Sequence, residues 1–176
     1  MFLYNFQRSG YVMFFRKLTK SLRVVKDTDI VAPVSGEIFP VEQVEDPIFA
    51  QQLLGKTISI QPQHGILTLV APANGELEVL YPGGHAYAVR LKNGIGILVH
   101  IGIDTVELKG KGFKVLAKQG MTVSAGQPIV KVNIDMLMKS GYNPSVMMII
   151  TDNPDSKELF FLENKRVSVA DNILSL

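Results

Sequence analysis

The sequence predicts an all-β protein, an antiparallel β-sandwich or barrel that contains a duplicated β motif and short helical turns. From Ile30 onward, short apolar runs alternate with Gly, Pro and Asn, which is the spacing of short strands joined by turns. Two stretches of this region resemble each other. The dipeptide Asn93-Gly94 also lies between two β-prone runs, which is the strongest short-range signal for a hairpin.

Length and composition limit the chain to one ordinary domain. The 176 residues are 47% hydrophobic, enough for one substantial core and too few for two typical domains. The absence of cysteine excludes disulfides, thiolate zinc sites and cysteine nucleophiles. It also fits a reducing compartment. The longest apolar run near the N-terminus, Tyr11–Phe15, is too short for a membrane span or a signal peptide, so we expect a cytoplasmic protein.

The N-terminal segment differs from the rest of the chain, and we predict an extension over residues 1–29 followed by one domain over 30–176. Residues 1–26 contain six basic residues and no acidic one, and Phe14, Leu18 and Leu22 recur at helical spacing. An amphipathic helix on the inner face of the membrane and a basic tail are both compatible with this pattern. Met13 is an alternative start, which would make residues 1–12 an upstream addition.

The remainder of the chain is mildly acidic. Residues 27–176 contain 12 basic and 16 acidic side chains, a net charge of −4. They show no cluster of Lys and Arg and no aromatic stacking motif, so we expect basic protein partners and no nucleic acid.

Internal repetition supports the duplicated motif. The segment Ala32–Ile38 is similar to Ala71–Leu77, and 120–126 has a fainter relative within 165–174. Such repeats indicate a β motif that pairs with its own copy. Short helical turns are predicted around 113–118 and 134–139.

The predicted hairpin determines how two histidines are related. A two-residue turn at Asn93-Gly94 pairs Lys92 with Ile95 and therefore places His100 opposite Tyr87. His85 then shares a face with His100 as a diagonal neighbour, with Cβ atoms roughly 7–8 Å apart or less. The same count places three apolar residues on this face: Leu98, Val89 and Leu91. A loop one residue longer would separate the histidines onto opposite faces.

Two histidines on one face indicate chemistry more strongly than either does alone. A single strand histidine is more often structural or surface than catalytic. Paired imidazoles, however, can converge on one small anion or ion. A neutral ring nitrogen is nucleophilic near neutral pH, and a second imidazole can donate a hydrogen bond to a phosphoryl oxygen. His64 lies in a turn-like Gln-Pro-Gln-His-Gly stretch and is predicted to be an exposed loop residue.

The segment VHIGIDTVELKGKGF, residues 99–113, strongly resembles the glucose-type enzyme IIA family of the bacterial sugar phosphotransferase system. The resemblance covers about residues 30–174 and includes these shorter matches: 32–36, 49–50, 70–72, 85–86 and 120–126. It implies a β-sandwich that carries a phosphoryl group on a histidine.

The resemblance also implies roles for individual residues. His100 would accept a phosphoryl group at Nε2 from phosphorylated HPr and donate it to the IIB domain of a sugar permease, with His85 as the supporting histidine. Asp104 and Asp46 would flank the site and attract a basic partner residue. Without the resemblance, a turn-capping aspartate and a solvated loop charge are the preferred interpretations of these two.

Four apolar residues align with the docking surface of the family: Ile48, Phe49, Tyr81 and Leu98. Taken alone, each is more typical of core or partial core. An apolar surface ringed by carboxylates suits a transient interface. One departure concerns the supporting histidine, because many members of the family have a threonine where this chain has Gly83.

Two other function classes remain open. A zinc metallopeptidase on a related scaffold would need a third ligand and often uses His-x-His, whereas Gly102 lies two residues after His100. We expect no required cofactor, and zinc shared with a partner at His85 and His100 is the alternative. A regulator that binds transporters or metabolic enzymes according to its phosphorylation state is compatible with the carrier function.

Overall fold

The computed structural model describes residues 29–156, 158–161 and 166–175, and it shows an antiparallel β fold with few short helices. The strands are β1 Asp29–Val31, β2 Gly36–Phe39, β3 Lys56–Pro62, β4 Ile66–Val70, β5 Gly75–Leu80, β6 Ala86–Arg90, β7 Gly96–Ile101, β8 Phe113–Val115, β9 Thr122–Val123, β10 Pro128–Asn133, β11 Val146–Asp152, β12 Arg166–Val167 and β13 Asn172–Ser175. The α-helices are α1 Pro47–Ala50 and α2 Ile134–Lys139, and 3₁₀ turns occupy Val41–Gln43 and Thr105–Leu108.

The strands form sheets in which every pair is antiparallel. The largest, with eight strands, has the order β12-β2-β3-β11-β7-β6-β5-β9, and a three-stranded sheet has the order β4-β10-β8. A third sheet pairs β1 with β13. The main core packs side chains of all three sheets together, such as Val99 of β7, Val132 of β10 and Ile30 of β1. The predicted all-β sandwich is therefore confirmed.

The two copies of the repeated motif contact each other through their backbones. Val31 N–H donates to the Pro72 carbonyl at 2.7 Å, and Val70 N–H donates to the Pro33 carbonyl at 3.0 Å. The copies also make equivalent bonds elsewhere, since Ala32 donates to Asp171 as Ala71 donates to Gln127. The prediction that the motif pairs with its own copy is confirmed.

The β6–β7 hairpin is one residue longer than predicted. Leu91, and not Lys92, lies opposite Ile95, because Leu91 N–H donates to the Ile95 carbonyl at 2.9 Å. The side chain of Asn93 accepts a hydrogen bond from Ile95 N–H at 3.1 Å, and only Gly94 has a positive φ, +85°. An Asn whose side chain bonds to the backbone two residues on does not need positive φ, so a three-residue loop replaces the type I′ turn.

This shift changes which residues share the face of His100. Ala86 pairs with His100 and Tyr87 with Val99. Tyr87, Val89 and Leu91 therefore belong to the main core, and their predicted place beside the histidines is wrong. Leu98 does alternate onto the face of His100, as predicted, because it lies two residues before it in β7.

The two predicted helical turns had different outcomes. Ile134–Lys139 is helix α2, whose first turn is capped by the Asn133 side chain accepting from Met136 N–H at 3.0 Å. The turn predicted around 113–118 is wrong, because Phe113–Val115 is strand β8 and pairs with β10.

The predicted extension over residues 1–29 lies, apart from Asp29, outside the described residues, so that boundary stays a prediction. Within the described part of the chain, no helix has the length and apolar character needed to span a bilayer.

Candidate functional site

A shallow pocket of about 340 Å³ opens on the outer face of the large sheet. It contains all eight side chains that the sequence indicated: Asp46, Ile48, Phe49, Tyr81, His85, Leu98, His100 and Asp104. Three further residues line it: Leu54, Ala86 and Val106. The structure thus brings together residues from three stretches of the chain, 46–54, 81–86 and 98–106.

His100 lies on β7 at the edge of a small apolar cluster. It pairs with the buried Met147 of β11, and the ring of Phe49 packs on its imidazole with centroids 5.1 Å apart. The Nδ1 atom is fully buried and has no hydrogen-bond partner of ordinary geometry among the described residues. Nε2 is therefore the ring nitrogen available to the pocket.

His85 reaches the same face by leaving the regular strand. It follows Gly84, whose φ is +75°, and precedes Ala86, the first residue of β6. Strict alternation of side chains does not extend through such a turn, so the longer hairpin loop does not separate the histidines. The two imidazole centroids are 5.7 Å apart with an interplanar angle of 70°.

Helix α1 covers the pocket floor. Its N-cap is Asp46, whose carboxylate accepts a hydrogen bond from Ile48 N–H at 2.7 Å. Phe49 is buried in the small cluster with Met147, while Ile48 on the same short helix is 48% exposed. One helical turn thus places one apolar side chain beneath the pocket and another at its rim.

Asp104 follows a tight turn after β7. Its φ is +55°, a left-handed conformation that aspartate adopts more readily than most residues, and Gly102 before it has φ of +75°. Asp104 precedes the 3₁₀ turn at Thr105–Leu108, but its side chain makes no capping hydrogen bond. Asp104 is therefore not the turn-capping aspartate that the sequence alone favoured, whereas Asp46 is a capping residue and not merely a solvated charge.

Gly83 lies directly beside the supporting histidine. A Cβ atom added to Gly83 would be 3.3 Å from Nδ1 of His85 and 3.5 Å from the backbone nitrogen of Gly110. A hydroxyl-bearing side chain at this position would thus reach the imidazole. In this chain, the His85 ring instead packs against Tyr81, with centroids 5.0 Å apart.

Burial lowers the pKa of both histidines. Loss of solvation lowers the pKa of His85. Loss of solvation is also the main cause of the lowered pKa of His100, with a further contribution from His85. The Gly102 backbone and the charges of Asp46 and Asp104 oppose this shift. Both imidazoles are therefore neutral at neutral pH, the form in which a ring nitrogen carries a nucleophilic lone pair.

The lowered pKa of His100 predicts a pH dependence of stability. Between pH 6.5 and the lower pKa in the folded state, the unfolded chain binds more protons, so the free energy of unfolding falls as the pH is lowered through this window. We expect His100→Gln to reduce this loss. Urea unfolding of both proteins from pH 8 to about pH 5 measures it. Identical dependence in the two proteins would contradict the burial of a neutral His100.

The sequence analysis did not predict three of the residues that line the pocket, Leu54, Ala86 and Val106. Leu54 and Val106 are 46% and 57% exposed, and an exposed aliphatic residue cannot be distinguished in the sequence from a core residue. Val106 does lie two residues after Asp104, within the motif that carried the resemblance. Ala86 is buried and contributes mainly its backbone position opposite His100.

The chain is similar to proteins of one known family. The family described as phosphoenolpyruvate-dependent sugar phosphotransferase system, EIIA 1, matches residues 28–156. The glucose-specific EIIA component of Staphylococcus epidermidis is 34% identical over 157 residues, covering 89% of this chain and 93% of the relative. The corresponding component of Staphylococcus aureus is 34% identical over 155 residues, covering 88% of this chain and 92% of the relative.

A solved structure shows the same fold. Glucose permease IIA from Mycoplasma capricolum superimposes with a TM-score of 0.76 at 32% identity, covering 85% of this chain and 96% of that one. None of these comparisons favours a metallopeptidase. The described residues also contain no group of three or more His, Cys, Asp or Glu that could hold a metal ion. The chain belongs to the EIIA type 1 family of the phosphoenolpyruvate-dependent sugar phosphotransferase system, whose members transfer phosphoryl groups during sugar uptake.

Proposed function

We propose that Nε2 of His100 accepts a phosphoryl group from phosphorylated HPr and passes it to the IIB domain of a sugar permease. The observation that carries this proposal is the pairing of His100 with His85, 5.7 Å apart between ring centroids, in one apolar pocket with two carboxylates. Nucleophile and supporting donor are therefore close together, and the pocket is open enough for a partner to reach them.

Both steps of the proposed transfer use the same ring nitrogen, Nε2 of His100. The Nε2 lone pair forms a bond to phosphorus while the bond from phosphorus to its donor atom breaks, and the electron pair of that bond leaves with the donor. His100 thereby becomes a phosphohistidine intermediate. The reverse exchange, with a IIB nucleophile attacking phosphorus, restores neutral His100. The buried Nδ1 takes no part in either bond.

His85 acts on the phosphoryl oxygens. Its ring lies edge-on to His100, and a ring N–H directed into the pocket would donate a hydrogen bond to an oxygen that gains charge during transfer. Such donors are most effective where water is excluded. The apolar rings of Phe49 and Tyr81, which pack on His100 and His85 respectively, provide that surround.

The rim of the pocket suits a transient protein interface. Ile48, Leu54, Tyr81 and Val106 are each between 46% and 57% exposed, and Asp46 and Asp104 line the same pocket. The carboxylates would orient a basic partner, and the apolar side chains would exclude water once it docks.

The exposed rim predicts a separation of stability from activity. We expect Leu54→Ser and Val106→Ser to change the free energy of unfolding by no more than about 0.5 kcal/mol. The second-order rate of phosphoryl transfer from HPr should fall roughly tenfold, equivalent to about 1.4 kcal/mol of interface energy. Stopped-flow transfer assays measure the rate. The matched control is Ile66→Ser, which alters a residue that is 64% exposed and does not line the pocket. An equal effect of the control would contradict this docking surface.

The remaining expectations about partners and place follow from the proposed function. We place the protein in the cytoplasm, where it meets its phosphodonor and the IIB domain of a membrane permease. Association with the inner face of the membrane is proposed through either the N-terminal extension or the permease. Regulatory binding would respond to phosphorylation, because a phosphate added to the apolar pocket changes its charge. Pull-downs with phosphorylated and unphosphorylated chains test that idea.

Zinc is proposed only as an ion shared with a partner. The two imidazoles supply two nitrogen donors of the kind zinc prefers, whereas a structural zinc site usually has four ligands. A partner must therefore contribute the others. Zinc titration with and without an acceptor protein tests this arrangement.

The proposed function is tested by reconstitution with phosphoenolpyruvate, enzyme I and HPr. We expect acid-labile phosphate to accumulate on this chain only when all three are present, and to be removed when a IIB domain is added. A different EIIA protein that becomes labelled serves as the positive control. No incorporation alongside a competent control would overturn the proposal.

A further inference from the structure

A group of lysines outside the pocket has no role in the proposed function. Residues 109–131 contain five lysines and neither an acidic residue nor an arginine, although residues 27–176 as a whole are net acidic. All five lysines are exposed, and none of them lines the pocket around His100. This stretch therefore carries a local positive charge that the pocket does not explain.

Strand pairing brings two of these lysines side by side. Lys114 of β8 and Lys131 of β10 are direct antiparallel partners. Val130 and Val132, on either side of Lys131, are fully buried, so both lysines extend from the outer face of the three-stranded sheet. Like charges directly opposite each other in a sheet are destabilising, and neither lysine forms a salt bridge with a described residue. The expectation of no cluster of Lys and Arg is therefore wrong for this face.

A loop adds two more lysines at one end of the same strands. Lys109 and Lys111 lie in the loop that precedes β8. The Gly112 carbonyl of this loop accepts from Asn133 N–H at 2.8 Å, so the loop lies beside the last residue of β10. The three strands of the small sheet contain no Asp or Glu that could neutralise this charge. Four side chains thus form what we call the lysine surface: Lys109, Lys111, Lys114 and Lys131.

Exposed aliphatic side chains accompany the lysines. Ile66 of β4 is 64% exposed, and it pairs with the residue two positions after Lys131, so it shares the outer face. Leu116, two residues after Lys114, is 43% exposed. Positive charge combined with apolar area suits the boundary between lipid headgroups and hydrocarbon, where both contribute to binding.

The composition of this face distinguishes between classes of negatively charged partner. Protein interfaces are enriched in Arg and aromatic residues and depleted in Lys, and surfaces that bind single-stranded nucleic acid use aromatic stacking. Here the cations are all lysines, and Phe113, the one aromatic residue in the three strands, packs against the core. Lysine is a mobile point charge that needs no fixed partner geometry, and clusters of four to eight basic residues are typical of contact with anionic lipids.

We propose that the lysine surface binds the headgroups of an anionic membrane, with the outer face of the three-stranded sheet toward the lipid. His100 extends from the outer face of the large sheet, whereas Lys114 and Lys131 extend from the small sheet, on the other side of the main core. Binding in this orientation leaves the pocket facing away from the bilayer and open to protein partners. The proposal does not depend on phosphoryl transfer, and it assigns a contact separate from the N-terminal extension.

The test measures how the full chain partitions onto vesicles of phosphatidylcholine and phosphatidylglycerol, mixed about two to one, in about 0.1 M salt. We expect Lys114→Gln combined with Lys131→Gln to weaken partitioning roughly 30-fold, which corresponds to about 1 kcal/mol per lysine near an anionic surface. The matched control, Lys56→Gln combined with Lys92→Gln, removes the same charge from exposed positions on the large sheet and its β6–β7 loop. It should change partitioning by less than about twofold, since charges beyond a Debye length are screened.

A charge reversal separates membrane binding from folding. Lys131→Glu places a carboxylate opposite Lys114 and removes the like-charge pair, so the free energy of unfolding in urea should be unchanged or higher. Partitioning should nevertheless fall as much as in the double variant, because the charge of the surface again changes by two. Vesicles of phosphatidylcholine alone should not bind the wild-type chain.

Unchanged partitioning in the variant altered at Lys114 and Lys131 would overturn the proposal and assign any membrane contact to residues elsewhere, including the N-terminal extension. An equal loss in the control would also overturn it, because net charge alone would then account for binding. Tighter binding of the wild-type chain to polyglutamate or single-stranded DNA than to the vesicles would replace the lipid by an acidic macromolecule. All variants should accept phosphoryl groups in solution at the wild-type rate, and failure of the wild-type chain in that assay would contradict the proposed function alone.

Discussion

Replacing His100 by glutamine should abolish phosphoryl acceptance. Glutamine keeps a polar side chain of similar length but has no ring nitrogen with a nucleophilic lone pair at neutral pH. Removal of a nucleophile commonly reduces the rate by about 10⁴-fold or more, so phosphate incorporation in the reconstituted assay should fall to background. The measurement is the initial rate of incorporation from HPr.

Two controls make this result specific. Circular dichroism and urea unfolding should show that His100→Gln folds, since the substitution removes a partly buried ring at the pocket and no residue of the main core. His64→Gln is the matched substitution at an exposed histidine, whose side chain is 77% exposed and pairs with Asp135. We expect it to keep the wild-type rate. Normal incorporation in His100→Gln would contradict the assignment.

Replacing His85 by alanine should separate the two half-reactions. During acceptance, we expect the donor protein to contribute groups of its own around the phosphoryl group. Once the group is on His100, however, His85 is the neighbouring imidazole, with its ring centroid 5.7 Å away. We expect onward transfer to the IIB domain to fall about 10²- to 10³-fold, the usual effect of removing one donor that stabilises transition-state charge. Acceptance should fall less than about tenfold, because groups of the donor protein would replace part of this stabilisation.

The half-reactions are measured separately in rapid-quench experiments. Acceptance is followed with excess phosphorylated HPr, and onward transfer with purified phosphorylated chain and excess IIB domain. His85→Gln retains an amide donor and should recover part of the loss. Equal decreases in both half-reactions would show that His85 contributes to them alike and would contradict the division of roles.

The sequence indicated the members of the site better than it indicated the geometry that joins them. The predicted register of the β6–β7 hairpin is wrong by one residue, because the Asn93 side chain accepts a hydrogen bond from Ile95 N–H in a three-residue loop. The dipeptide Asn-Gly does not show in the sequence whether the loop has two residues or three. His85 nevertheless shares the pocket with His100, since Gly84 with its positive φ turns the chain before β6 begins. The correct pairing was thus predicted for a reason that the structure does not support.

Other features of the site depend on long-range packing that no local pattern encodes. Phe49 packs on His100 because α1 closes over the outer face of β7 and β11. The outer side chains Met147 and Ile149 of β11 are apolar, which favours a covered face, but the strand sequence does not show which segment covers it. The second role of Asp46, capping α1, likewise became visible only with the helix, whose four residues are too few for a periodic signal.

The fold was easier to predict than these details. Short apolar runs and turn residues recur throughout the described chain, and the duplicated segment explains why Gly36 and Gly75 occupy equivalent places. A Cβ atom at either would lie 2.2 Å from a backbone oxygen of the neighbouring strand. Where only glycine fits between neighbouring strands, the glycine marks that position clearly in the sequence.

The most direct measurement of the central claim is the location of the phosphoryl group at atomic resolution. The chain would be phosphorylated through phosphoenolpyruvate, enzyme I and HPr, kept at alkaline pH, and analysed by tandem mass spectrometry for the residue and by ³¹P and ¹⁵N NMR for the ring nitrogen. The buried Nδ1 of His100 and its open Nε2 predict a single phosphate on Nε2 of His100. A phosphate on Nδ1 of His100, on His85 or on His64 would contradict the account.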